Sequence, residues 1–166
     1  NGTDSGDLIC EFAKLRGHSS RTHAYFSGGT PAARATTIQK FPFASEGNAA
    51  DVGELSRDHV EHACANSAEA GYSAGGFLGN QSTKCKSIDK FPFASDNSAS
   101  NIGNLTVARV QQTGVSSFTH GYSISGNPPT SGTPTVENYP FASDSGGTDL
   151  GVTACFQLTY GHGHQC

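Results

Sequence analysis

Apolar residues along the chain fall in short clusters divided by Gly, Ser, Asn and Asp, and one cluster repeats. Ile38-Gln39-Lys40-Phe41-Pro42-Phe43-Ala44-Ser45-Glu46 returns as Ile88-Asp89-Lys90-Phe91-Pro92-Phe93-Ala94-Ser95-Asp96. It returns again, with changes, as Val136-Glu137-Asn138-Tyr139-Pro140-Phe141-Ala142-Ser143-Asp144. A spacing of about 50 residues between such blocks marks a repeat architecture. A second half-repeat follows the same rhythm. Asp4-Ser5-Gly6-Asp7-Leu8 matches Asp51-Val52-Gly53-Glu54-Leu55, Asn101-Ile102-Gly103-Asn104-Leu105 and Asp149-Leu150-Gly151. The chain therefore reads as one repeat domain over 1–166. It divides into a partial repeat (1–29), two full repeats (30–76 and 77–126) and a shortened C-terminal repeat (127–166).

Within one period the pattern predicts three or four short strands. The first covers 88–94, and Pro92, which lacks a ladder donor, places it at an edge or interrupts it. Ser95-Asp96-Asn97-Ser98 reads as a turn, since Asp and Asn bond their own backbone there. The second strand covers 102–110, with Gly103 marking a bulge. A polar loop at 111–114 leads to a third strand over 116–124, in which Phe118, His120 and Tyr122 alternate. The segment 55–70 lacks Gly and Pro and could be helical alone. Its repeat mates Leu105-Thr106-Val107 and Ser116-Ser117-Phe118-Thr119 favour strand, so strand is expected. Loops 30–37, 77–87 and 127–135 differ most between repeats.

Composition narrows the class. Only 34% of residues are apolar, Gly is frequent at 21, and Met and Trp are absent. Those features suit an all-β chain with a core shared between neighbouring repeats. The net charge of −4 comes with no basic stripe, which argues against nucleic acid as a partner. No apolar run reaches the length of a membrane-spanning helix. The first residue is not Met and no leader is evident, so the chain is expected to be a processed or excised piece of something longer. Cys10, Cys64, Cys85, Cys155 and Cys166 have no zinc-type spacing. They suggest two disulfides and one free or intermolecular thiol in an oxidising compartment, or else five small buried residues. Asn1, Asn80 and Asn104 begin glycosylation sequons.

The repeat resembles the kelch repeat. The likeness rests on Gly75-Gly76, Phe91, Leu105 to Arg109, Tyr122 and Gly126, and it covers nearly the whole chain. It departs from the pattern in lacking the kelch tryptophan and in placing Pro after the aromatic. The wording Phe-Pro-Phe-Ala-Ser and Gly-Asn-Leu-Thr-Val-Ala-Arg is similar to kelch-like proteins of marine phages and environmental sequences. The resemblance implies β-propeller-type blades of four antiparallel strands, here about three and a half of them. Propellers typically have at least four blades, so oligomerisation or a longer chain would complete the structure.

Candidate chemistry is sparse. The Phe-Pro-Phe block could stack on sugars, but its regular recurrence favours core packing. Arg109 and the recurring Asp51, Asn101 and Asp149 read as structural hydrogen-bonding residues. One carboxylate per period is thin for calcium, which takes six to eight oxygens. His59 and His62 flank Glu61 near Cys64, and His162 and His164 lie near Cys166; neither cluster recurs, and no metal or cofactor is expected. Ser, His and Asp all occur, but no strand-to-helix nucleophile elbow marks one out. A galactose-oxidase-type copper site would need Tyr, His and Cys in an arrangement not visible here.

These readings converge on a non-enzymatic structural or adhesive module, extracellular or on a virion surface. Self-association into a ring or filament is expected. Recognition is expected on the variable loops, with Arg34, Asn80, Lys84, Asn127 and Thr130 as binding candidates. A lectin-like module binding glycans and a subunit of an extracellular filament are the alternatives, and a secreted oxidase is the most distant one.

Overall fold

The structure, a computed structural model, describes residues 5–127 and 135–152. Among the described residues, twelve strands form three four-stranded antiparallel sheets. The first holds β1 (Arg16–Ser19), β2 (His23–Ser27), β3 (Thr37–Pro42) and β4 (Ala50–Glu54). The second holds β5 (Ala63–Asn66), β6 (Ala70–Ala74), β7 (Ser87–Pro92) and β8 (Ser100–Asn104). The third holds β9 (Thr113–Ser116), β10 (His120–Ile124), β11 (Thr135–Pro140) and β12 (Thr148–Val152). Each sheet is a simple antiparallel meander, and among the described residues none closes into a barrel. Among the described residues there is no α-helix, only a 3-10 turn at Ala32–Arg34. The helical alternative for 55–70 gives way to a connector and β5.

Several boundaries move. The third strand expected over 116–124 is a tight hairpin instead. Tyr122 pairs with Val115 and Gly121 with Ser116, while Ser117 caps the turn by accepting the Thr119 and His120 N–H groups. Phe118 sits at the tip, 98% exposed. The second strand ends at Asn104, not 110. Pro92 does not mark an edge strand; the strand expected over 88–94 stops there. Pro92 is the last residue of β7, which lies between β6 and β8. The next residue, Phe93, donates its N–H to Glu69 on the β6 side. The Pro92 nitrogen therefore faces the β8 side, beyond the Lys90–Ser100 pair where that ladder stops. The repeat boundaries drawn from the sequence run half a unit out of phase with the sheets, since 30–76 spans β3 to β6.

The expected bulge is present in every sheet. Ile88 pairs with Gly103 and Asp89 with Asn101, which leaves Ile102 as the extra residue. Val52 and Leu150 occupy the same place in the other sheets. Each bulge is braced locally. Asp51 and Asp149 accept the N–H two residues on, and Asn101 donates to the Ile88 and Gly103 carbonyls. Glycine is required beside the bulge because the next sheet comes close. A Cβ on Gly103 would lie 2.6 Å from the Gly146 nitrogen, and one on Gly53 would lie 2.8 Å from the Ser98 nitrogen.

Two apolar layers hold the three sheets together. Tyr25, Ile38, Leu55 and Phe91 form one, with Val52 and Phe93 packed against it. Tyr72, Ile88, Ile102, Leu105 and Tyr139 form the other, with Phe141 against it. Phe91 and Tyr139 are core, as expected from their recurrence, at 1% and 0% exposed. Phe91 lies across Gly71, its cross-strand partner. Phe41 is only half-buried, and Phe43 is 56% exposed. The first strands lie side by side, with β5 between β1 and β9.

Candidate functional site

The most developed polar structure is a cross-link repeated in all three sheets. A polar side chain just after the Ile or Val of the third strand reaches into the connector that leads into its sheet. Gln39 Oε1 accepts the Ile9 N–H at 3.1 Å. Asp89 Oδ2 accepts the Ser56 N–H at 2.6 Å. Glu137 Oε2 accepts the Thr106 N–H at 2.6 Å. In two sheets a buried cation on the same connector completes the link. The Arg109 guanidinium donates to Glu137 Oε1 at 2.7 Å and to the Ser125 carbonyl at 3.3 Å. His59 holds its Nδ1–H on the Gly75 carbonyl at 2.7 Å, with Nε2 at 3.5 Å from Asp89 Oδ2.

These environments set the charges. Burial pulls the His59 pKa down, but its bonds to Asp89 and Cys85 override this and lift it to about 9. Asp89 is held below the usual carboxylate range. Burial works against that, and bonds from His59 and Ser56 outweigh it. His59 and Asp89 are thus a charged pair with no solvent exposure. The role expected for Arg109, fixing structural hydrogen bonds, is the one it performs.

A second buried network joins the first two sheets. His18 Nε2 lies 2.8 Å from Ser27 Oγ, which lies 3.2 Å from His62 Nε2 and 3.0 Å from Ser73 Oγ. His18 Nδ1 faces the Ala65 carbonyl at 3.3 Å, so that nitrogen carries the proton and Nε2 accepts from Ser27. Burial lowers His18 to about 4, and lowers His62 well below its ordinary value with help from nearby His59. Both rings are neutral. His62 Nδ1 and Glu61 Oε2 are buried without a hydrogen-bond partner among the described residues. Glu61 uses its other oxygen on Lys14 at 2.8 Å. His59, Glu61 and His62 therefore serve separate partners, and among the described residues no three His, Cys, Asp or Glu side chains converge as a metal-binding group.

The meander sends its loops to two ends. The loops chosen from the sequence lie with the connectors at one end. There Arg34 is exposed on the 3-10 turn. Asn80 is exposed and caps its own turn by accepting the Ser82 and Thr83 N–H groups. Lys84 donates to the carbonyl and side chain of Asn127 at 3.0 and 3.2 Å, which ties the loops of the second and third sheets together. Thr130 lies outside the described residues. Of the sequons, Asn80 and Asn104 are exposed and Asn1 lies outside. Cys10, Cys64 and Cys85 are free thiols, which leaves no pair of bridges through them; Cys155, Cys166, His162 and His164 lie outside the described residues.

The grooves open at the opposite end, between the hairpin turns. One of 250 Å³ runs past Arg21, Ser67 and Phe118, and one of 320 Å³ lies between Tyr72, Phe118 and Phe141. Sequence reasoning missed this end because Phe118 read as a strand residue. It also passed over Gln39, Asp89 and Glu137, although a polar residue at a fixed offset inside an apolar strand was a usable signal. No family model matches the chain, and no curated protein does either. Among the described residues no helix is long and apolar enough to cross a membrane.

Proposed function

We propose that the chain is a kelch-like, propeller-type repeat module with a structural or adhesive, non-enzymatic role at an extracellular or virion surface. It works by assembly and by displaying loops on a rigid frame. The observation that carries this reading is the fate of the buried polar groups. His59, Asp89, Arg109 and Glu137 are spent at equivalent positions on holding connectors to sheets. These four ionisable side chains are thus satisfied by the fold and buried. The four-stranded meanders with adjacent first strands fit blades, and the outer loops fit display.

A lectin-like role is the second reading, and Phe118 favours it. An almost fully exposed aromatic ring beside two grooves is a platform on which a sugar could stack. The neighbouring Ser67 and Ser117 hydroxyls already cap their own turns, so the ring would have to carry such binding.

Labelled protein applied to a glycan array and to intact cells tests both. The adhesive reading predicts retention that falls when Arg34, Asn80, Lys84 and Asn127 are all changed to Ala. Retention lost instead with Phe118→Ala, and confined to glycans, selects the lectin reading. Stoichiometric copper after growth in copper-replete medium, together with oxidation of a sugar alcohol, contradicts both.

A further inference from the structure

We propose that the outer face of the third sheet docks head to tail on the first sheet of a second copy, and that residues 5–8 of that copy hold the place β12 takes. This rests on the reading of the chain as an assembling module, and it names the surfaces that join.

The two interfaces inside the chain define the template. At each, a tyrosine of the second strand stacks on the second Phe of the following block: Tyr25 on Phe93 at 4.7 Å and Tyr72 on Phe141 at 4.6 Å. A bulge residue is covered, as with Ile102 at 8% exposed. A lysine of the third strand meets an acid of the next sheet, Lys40 with Asp96 and Lys90 with Asp144.

Among the described residues, the third sheet presents the donor half of this interface with nothing on it. Tyr122 and Val136 are only half-buried, unlike Tyr72 and Ile88, and Leu150 is 53% exposed. A Cβ on Gly151 would meet no atom within 4 Å, where its mates Gly53 and Gly103 press on the next sheet. The first sheet presents the receiving half. Phe41 is only half-buried, Phe43 is exposed, and a 380 Å³ cavity lies beside them and Glu46. Two different surfaces that fit each other make a heterologous contact, which propagates.

One strip of the receiving half is taken. Ser5 and Asp7 accept the Gly47 and Ala49 N–H groups at 2.9 and 2.8 Å. Gly6 lies over Gly47 as Gly103 lies over Gly146. Residues 5–7 are exposed and belong to no strand. Docking exchanges this strip for the matching strip of β12, like for like, and adds the burial of Tyr122, Leu150, Phe41 and Phe43. The segment is therefore an internal competitor. Asn138 stands where Lys40 and Lys90 stand in the other sheets, so the intermolecular copy of the interface lacks its ion pair with Glu46.

Sedimentation velocity on the full chain over a range of concentrations tests this. Wild type is expected to grow in mass with concentration. Gly6→Val, whose Cβ would lie 2.3 Å from the Gly47 carbonyl oxygen, expels the competitor and shifts growth to lower concentration. Asn138→Lys tightens association up to about fivefold at low salt, an effect lost near 1 M salt and reversed by Glu46→Lys. Leu150→Glu and Phe43→Glu alter exposed side chains, so each stays folded and monomeric alone. Mixed, they give dimers that grow no further. Monomers for wild type, G6V and N138K alike overturn the proposal. So does assembly of L150E or F43E at wild-type strength. A monomer that still adheres to cells defeats the interface and spares the adhesive reading; an assembling protein that turns over substrate does the reverse.

Discussion

At the residue scale, the His59–Asp89 pair shows what the buried polar groups do. The carboxylate offsets the imidazolium charge and accepts the Ser56 N–H. Asp89→Ala strands both, and loss of one partner of a buried pair costs about 3–5 kcal/mol; denaturant unfolding at pH 7 measures it. Acidity gives a second prediction. The folded His59 pKa of about 9 stands above the ordinary 6.5. Its contribution is therefore complete below pH 6.5 and is lost as pH rises through 9. His18, at about 4, and His62 are shifted the other way. Their contribution is complete above pH 6.5 and fades as pH falls toward 4. Stability measured by thermal unfolding should peak near pH 6.5, and His59→Gln should flatten the alkaline limb alone. A bell centred elsewhere, or an unchanged alkaline limb, would contradict the charge assignment. The core role of Phe91 and Tyr139 was legible in the sequence because they recur. His59 was not, because its role depends on Asp89, which lies 30 residues away and has Glu137 and Gln39 as its mates.

At the element scale, β9 packs tightly against β5 at Gly114. A Cβ there would lie 2.0 Å from the Cys64 carbonyl oxygen, so Gly114→Ala must push β9 away from β5. Overpacking of this kind costs about 1–3 kcal/mol. Gly47, whose Cβ would meet nothing within 4 Å, is the control, and Gly47→Ala should fall within about 0.5 kcal/mol of wild type. Equal losses at the two sites in chemical denaturation would show that the strands are not in contact. Period-two alternation located β10 but hid the hairpin before it. Phe118 continues the alternation of His120 and Tyr122 although it sits on a turn. The signal that separates them is the Ser117 cap, a local hydrogen bond that hydrophobic pattern does not register. The bulge at Ile102 was legible because the adjacent Gly103 is demanded by close approach of the next sheet.

At the scale of the whole molecule, the repeat was plain in the sequence and its phase was not. Identical blocks locate the period, whereas strand pairing decides where one sheet ends, and each sheet straddles two sequence units. The Lys40–Asp96 and Lys90–Asp144 ladder runs across the exposed rim. Exposed pairs contribute about 0–1 kcal/mol each, so Lys40→Ala with Lys90→Ala should cost little, and the cost should vanish at high salt. What holds the sheets is the apolar layer between them, and among the described residues Leu150 at one end of the stack and Phe43 at the other stay exposed. Hydrogen exchange read by mass spectrometry at low and high protein concentration tests this most directly. The account predicts that amides of β6 and β7 are the most protected at every concentration. It also predicts that those around Leu150 and around Phe41–Phe43 gain protection together as concentration rises. Protection at these two ends that equals the middle sheet at low concentration, or that never changes with concentration, would contradict it.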